Sequence, residues 1–131
     1  MAERRARPLS PHLGVWRWGP GMAASIFHRI TGGALTVAGL AVLTWWLMSL
    51  ASGSDDYGDF SAIAGTWVGM VVLIGLSWAF FQHLLTGIRH LIMDTGENFE
   101  IGANKKGAIA TFVGAALLTA VLWFTILGAA K

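Results

Sequence analysis

The chain has 131 residues, of which 55% are hydrophobic and 12% are charged, and its formal net charge is +2. A soluble domain carries about 25% charged residues, so the composition argues against an ordinary soluble globular protein. The sequence contains no cysteine, which excludes disulfide bonds, thiolate metal sites and cysteine nucleophiles.

The charged residues are clustered, and long uncharged segments separate the clusters. Residues 30–54, 60–88 and 107–130 contain no Asp, Glu, Lys or Arg, and they span 25, 29 and 24 residues. Each exceeds the roughly 20 residues that cross a hydrocarbon core. The sequence therefore predicts an all-α integral membrane protein with three transmembrane helices.

Residues 1–21 are expected to form a cytoplasmic or interfacial segment. They are basic and rich in proline and glycine, which disfavours a long helix. Trp16 and Trp18 bracket Arg17, a combination that suits the headgroup layer. The first apolar run starts only at Ile30, so we expect no cleavable signal peptide. We also expect no Ser/Arg-rich amphipathic transit peptide, which favours a multi-pass protein of the bacterial inner (cytoplasmic) membrane over one of an organelle.

The first helix is expected to begin near Met22 and to span the bilayer over residues 30–51. Residues 52–59 are acidic and contain two glycines, so they are predicted to form a short turn. Residues 22–131 together are predicted to form one transmembrane domain.

The second helix is expected to run from Ile63 to Asp94, with residues 63–88 in the membrane. Its length of roughly 48 Å exceeds a hydrocarbon core of roughly 30 Å, so its last turns are predicted to project from the bilayer. A polar loop is expected up to Gly107, and residues 108–130 are predicted to form the third helix.

The distribution of basic residues predicts the orientation. Eight of the nine Lys and Arg residues precede the first span or lie between residue 88 and the third span, and only Lys131 lies at the far end. The first connection has acidic residues only. The positive-inside rule places the N-terminus in the cytoplasm and the C-terminus outside.

Two histidines of the second helix suggest a ligand site. His83 and His90 are seven residues apart and share a helical face, with Gly87 between them leaving a bare patch. A flat ligand fits such a patch. Haem iron bound by His83 would leave the propionate edge about 10 Å away, beside His90 and Arg89. Alternatively, His83 bonds a neighbouring helix and His90 lies in water.

If His83 binds haem, a partner chain is expected to supply the opposite ligand. The other histidines, His12 and His28, precede the first predicted span, and neither is expected to lie at membrane depth.

A second constellation lies at the start of the first helix. Ser25, His28 and Arg29 can share one face, where a hydroxyl and a guanidinium would be donors to a quinone carbonyl. Alternatively, Arg29 snorkels to lipid phosphates and Ser25 bonds the backbone. Gly32 and Gly33 are interpreted as a site of close helix packing.

Three motifs together resemble the cytochrome b membrane-anchor family of succinate dehydrogenase. They are "RPLSPHL" at residues 7–13, "SIFHRITG" at residues 25–32 and "HLLTGIRHLIMD" at residues 83–94. Their order and spacing agree with the family pattern, and the resemblance covers nearly the whole chain.

The resemblance implies a role in a quinone-reducing complex. A second small membrane-anchor subunit, an iron–sulfur subunit and a flavoprotein subunit would be partners, and electrons from succinate would pass through FAD and iron–sulfur clusters to ubiquinone. Haem b would lie between the two anchor subunits, so this chain would form half of a haem-binding helical bundle in the lipid bilayer. No nucleic-acid partner and no complete catalytic site on this chain are expected.

The resemblance also implies roles for individual residues. His83 would be the axial haem ligand and His90 would lie near a propionate, which agrees with the spacing argument that a flat ligand lies against Gly87. The quinone positions would be Ser25, Ile26, Arg29 and Asp94, and Arg29 would also reach a propionate. Two alternatives remain, a haem-b anchor of a fumarate reductase or other quinone-linked redox complex, and a non-redox structural or transport protein.

Overall fold

The computed structural model describes Ser10, Val15 and residues 17–129. Most of the predicted N-terminal segment, including His12 and Trp16, lies outside the described residues, as do Ala130 and Lys131. The helices are α1 (Pro20–Ala34), α2 (Leu40–Ser52), α3 (Ser54–Ala64), α4 (Trp67–Asp94) and α5 (Ile101–Ala129). The described residues contain no strand, and three helical segments are long and apolar enough to cross a membrane. The predicted all-α architecture with three spans is confirmed.

The first span is helical from Pro20 to Ser52 and contains a π-helical turn at Leu35–Gly39. It starts two residues before the expected Met22, because Pro20 is preorganised for the first helical position. The π turn separates α1 from α2. No Cα atom of α2 comes within 8 Å of one in α4 or α5, whereas α1 packs against both helices.

The predicted acidic turn between the first two spans is wrong, because these residues form α3. Gly53 ends α2 with φ 125°, a left-handed conformation that glycine adopts without strain. Asp55 and Asp56 then lie in the first turn of α3, where negative charge complements the helix dipole. The chain therefore makes a short helix in place of a loop.

The second span begins at Trp67, and not at Ile63 as expected. Thr66 caps α4, since its hydroxyl accepts the N–H of Gly69 at 3.1 Å. A Cβ at Gly69 would overlap the carbonyl oxygen of Ile63, so this tight turn requires glycine. The predicted end at Asp94 matches the structure, and the 28 residues of α4 extend about 42 Å.

The third helix begins at Ile101, seven residues before the expected start. The connection is short because Gly96 and Asn98 take positive φ values of 92° and 64° and turn the chain within residues 95–100. Lys105 and Lys106 are exposed in the early turns of α5, and lysine is a good helix former. The predicted loop up to Gly107 is therefore wrong, because a helix with polar residues can extend beyond the hydrocarbon region.

Small residues form the interface among α1, α4 and α5. The buried hydrophobic residues are Ala24, Ala79, Ala108 and Ala115, while most large apolar side chains face outward. This arrangement suits a lipid environment, in which large apolar groups gain nothing by burial and small residues let helices approach closely. The result is a tight three-helix contact in the half of the protein that contains the Ser25–Arg29 segment of α1 and the His83–His90 segment of α4.

Polar side chains join α4 to α5 inside this contact. The Gln82 amide donates to the hydroxyl of Thr86 at 3.0 Å and to that of Thr111 at 3.3 Å. Gln82 is 0% exposed. Residues 82, 86 and 89 of α4 are all buried, so this face of the helix points into the chain and the neighbouring face carries the histidines.

Candidate functional site

Three histidine rings meet between α1 and α4. The rings of His28 and His83 are stacked with centroids 4.0 Å apart and an interplanar angle of 4°. His90 meets the edge of His28 at a centroid distance of 5.3 Å. The structure therefore brings both histidines of the second span against a histidine of the first.

His28 is the site residue that sequence reasoning set aside. The expectation that His28 does not lie at membrane depth stays a prediction, but its ring stacks on that of His83. The signal that could have identified it is its place beside Arg29 at the start of a long apolar segment, where any polar ring is costly. Its Nδ1 is buried and has no hydrogen-bond partner among the described residues.

The Gly87 face is partly covered, and not bare as expected. A Cβ at Gly87 would lie 3.7 Å from Cε1 of His28, which is ordinary van der Waals contact. A pocket of about 460 Å³ remains beside it, lined by His28, His83, Leu84, Gly87, Ile88, His90 and Leu91. Leu84, Ile88 and Leu91 are exposed, so the pocket opens on the outside of this chain.

The ring of His83 is anchored on α1 through one nitrogen. Its Nδ1 lies 3.0 Å from the carbonyl oxygen of His28 and 3.4 Å from the hydroxyl of Thr31. This hydrogen bond agrees with the alternative expectation that His83 bonds a neighbouring helix. It uses Nδ1 alone, however, so Nε2 of His83 stays available for a ligand.

The Ser25 and Arg29 side chains are available as donors. Ser25 is half-buried and its hydroxyl makes no hydrogen bond in the described part of the chain, unlike Thr31 and Ser77, whose hydroxyls bond back to the helix. The alternative in which Ser25 bonds the backbone is therefore absent from this structure. Arg29 is exposed, and Ile26 beside them is 36% exposed.

Arg89 does not lie beside His90 on the ligand face, as the sequence had suggested. It is only 7% exposed, and its side chain runs between the first turn of α1 and the second turn of α5. Its Nε would lie 3.6 Å from a Cβ at Gly107, and its Nη2 3.8 Å from one at Gly21. Two positions without side chains thus provide the space for a buried guanidinium. Asp94, the last residue of α4, is exposed.

Comparisons with known proteins agree on one family. The family model described as "Succinate dehydrogenase/Fumarate reductase transmembrane subunit" matches residues 3–122. The chain is 40% identical over 125 residues to the succinate dehydrogenase cytochrome b556 subunit of Paracoccus denitrificans, covering 93% of this chain and 95% of that protein. It is 38% identical over 117 residues to the subunit of the same name from Rickettsia felis, covering 89% and 90%. It is also 35% identical over 109 residues to the mitochondrial succinate dehydrogenase cytochrome b560 subunit of Sus scrofa, covering 82% and 64%.

Proposed function

Because the chain belongs to the succinate dehydrogenase/fumarate reductase transmembrane subunit family, we propose that it works as the cytochrome b anchor of a succinate:quinone oxidoreductase. It is a multi-pass membrane protein and a membrane-anchor subunit of an enzyme complex. The relatives named above are subunits of succinate dehydrogenase, so a fumarate reductase anchor is not favoured.

His83 is the proposed axial ligand of a haem b. The observation that supports this most is that Nδ1 of His83 bonds the carbonyl of His28, while Nε2 is available beside a pocket with apolar walls. A bound haem iron supplies one-electron chemistry. The residues fit such a group, because the pocket beside Gly87 has a volume of about 460 Å³ and His90 provides a polar group at its other end.

A second anchor subunit is proposed to supply the opposite ligand. Haem iron held by His83 would take its second ligand from the other side of the pocket. The His28 ring lies parallel to His83 and beside it, and His90 is on the same helix, so neither takes that opposite position. The open side of the pocket, at Leu84 and Ile88, is where a partner helix would complete the site.

Ser25, Ile26 and Arg29 are proposed to bind the quinone, with Asp94 on the same side of the membrane. The free hydroxyl of Ser25 and the exposed guanidinium of Arg29 can donate to a quinone carbonyl, and Ile26 supplies an apolar wall. His28 joins this segment of α1 to His83, so the proposed quinone and haem positions are adjacent.

The complex is proposed to lie in a bacterial inner membrane with the N-terminus in the cytoplasm. An iron–sulfur subunit and a flavoprotein subunit would dock on that side and carry the iron–sulfur clusters and FAD. Electrons from succinate would then reach ubiquinone at the membrane surface. Two of the relatives are bacterial, and the basic residues cluster on the proposed cytoplasmic side.

The test is purification of the tagged chain from native membranes in mild detergent. We expect three further polypeptides, covalent or tightly bound flavin, b-type haem and succinate:quinone reductase activity in one particle. Recovery of the chain without haem, or in a particle that lacks succinate oxidation, would contradict the proposal.

A further inference from the structure

The neighbours of Nδ1 of His83 are a backbone carbonyl and a hydroxyl whose proton has a closer acceptor elsewhere. The nearest atom is the carbonyl oxygen of His28 at 3.0 Å, which can only accept a hydrogen bond. The hydroxyl of Thr31 lies 3.4 Å away, and its single proton has a closer acceptor in the carbonyl oxygen of Phe27, at 2.7 Å. The tautomer with the proton on Nδ1 of His83 is the one that satisfies the bond to the His28 carbonyl.

A proton on Nδ1 leaves the lone pair on Nε2. Metal-binding histidines usually donate their other N–H to a carbonyl or carboxylate, which fixes the tautomer and the ring orientation and raises the basicity of the ligand. The His28 carbonyl has this relation to His83. Because the acceptor is a backbone atom, no side-chain substitution at residue 28 removes it.

Gly32 makes this bond possible. A Cβ at Gly32 would lie 2.9 Å from Cε1 of His83, closer than a methyl group approaches a ring, and a tight 3.3 Å from Nδ1. The His83 ring is also stacked on His28, so a methyl group at Gly32 would press on a ring that is already in contact on another face. The neighbouring Gly33 has nothing within 4 Å of its Cβ position, so the tight contact belongs to Gly32 alone of the pair.

We propose that Gly32 is a positioning residue, with Thr31 in a minor role, which seats the His83 ring on the His28 carbonyl and thereby directs Nε2 to the iron. The proposal rests on the proposed function of His83. It concerns the orientation and electron donation of the ligand, and neither Gly32 nor Thr31 touches the iron.

The expected effect is on the haem potential. A hydrogen-bonded imidazole donates more electron density and stabilises the ferric state, so loss of the bond should raise the potential. For Gly32→Ala we expect the ferric-to-ferrous ratio at a fixed ambient potential to fall at least threefold, which is about 28 mV for a one-electron couple. The low-spin ferric EPR signal should also shift, because the ring turns.

Two glycine variants serve as controls in the assembled complex. Gly33→Ala adds the same methyl group to the next position with open space around it. Gly114→Ala creates an equally tight contact, 2.8 Å, but against Cδ1 of Leu85, away from the histidines. Redox titration and EPR of each purified complex should give wild-type values for both controls.

Two threonine variants, which we call the hydroxyl pair, provide a second comparison. They test the proposal in case the Gly32→Ala complex does not assemble. Thr31→Val removes the second acceptor near Nδ1 of His83. Thr36→Val removes a hydroxyl that bonds the Gly32 carbonyl at 2.9 Å on the exposed side of the same helix. Thr31→Val should raise the haem potential relative to Thr36→Val, and by less than Gly32→Ala does.

The outcomes separate this proposal from the one on which it rests. If Gly32→Ala keeps the wild-type potential and EPR signal, or if Gly114→Ala changes them equally, Gly32 has no positioning role. In the hydroxyl pair, equal potentials would overturn the proposed contribution of Thr31 to holding Nδ1 of His83. If instead His83→Leu retains the low-spin spectrum, the axial assignment itself fails.

Discussion

The imidazole rings of His28 and His83 lie parallel, 4.0 Å apart, and connect α1 to α4. This contact brings the segment that contains Ser25 and Arg29 to the level of the His83–Gly87–His90 face. Substitutions in the proposed quinone-binding segment can therefore be compared with substitutions at the proposed haem-binding face in the same complex.

His83→Leu should abolish the low-spin b-type spectrum or convert it, because the iron loses one of two strong ligands. His90→Leu should keep the low-spin form and shift the haem potential, since His90 is proposed to touch only the propionate edge. Optical spectra of the oxidised and dithionite-reduced complex distinguish the two variants. A normal spectrum in His83→Leu would show that another histidine binds the iron.

Gly87→Leu should lower the haem content of the complex without removing a ligand. The larger side chain would displace His28, whose Cε1 lies 3.7 Å from the Cβ position, and would fill the pocket. Gly75→Leu on the same helix is the matched control, because nothing lies within 4 Å of its Cβ position. The measurement is haem per complex by pyridine haemochrome, and equal values for the two variants would argue against a ring at Gly87.

Ser25→Ala and Arg29→Leu should lower quinone reductase activity and leave succinate oxidation by a soluble artificial acceptor nearly intact. Loss of one neutral hydrogen bond costs roughly 0.5–1.5 kcal/mol and loss of a charged donor roughly 1.5–3 kcal/mol. Arg29→Leu should therefore be the more severe variant. Steady-state kinetics with both acceptors test this, and unchanged quinone kinetics in both variants would remove these residues from the quinone site.

Cysteine labelling should report the orientation. A cysteine at Asp56 on α3 should react with an impermeant thiol reagent in intact cells, while one at Lys105 should react only after the membrane is opened. Both positions are exposed, and the chain has no cysteine of its own. The opposite labelling pattern would reverse the topology and the proposed docking side.

Gly69→Ala should destabilise the complex. A Cβ there would overlap backbone atoms of Ile63 and Ala64, which cannot move as a flexible side chain can. Such substitutions cost more than about 1 kcal/mol. The midpoint of thermal unfolding in detergent should fall relative to Gly75→Ala, which adds the same methyl group at an open position of α4. Equal midpoints would show that the α3–α4 turn relaxes freely.

The three spans were predictable from the sequence because the length of an uncharged segment is a local property. Residues 30–54, 60–88 and 107–130 each suffice to cross a bilayer whatever they pack against. The motifs around Ser25 and His83 were also readable, since helical periodicity decides which residues of one helix share a face. The exact ends of the helices were less predictable from the sequence. Asp55 and Asp56 suited a helix start as well as a turn, and Lys105 belongs to a helix that extends past the apolar segment.

The tertiary structure alone decided which faces of different helices meet. Periodicity within α4 could not show that its Gly87 face receives His28, or that Arg89 turns inward between Gly21 and Gly107. Nor could it show that the His28 carbonyl accepts from His83. These contacts depend on the axial level and rotation of two separate helices, which small residues at the interface permit and which no single segment encodes.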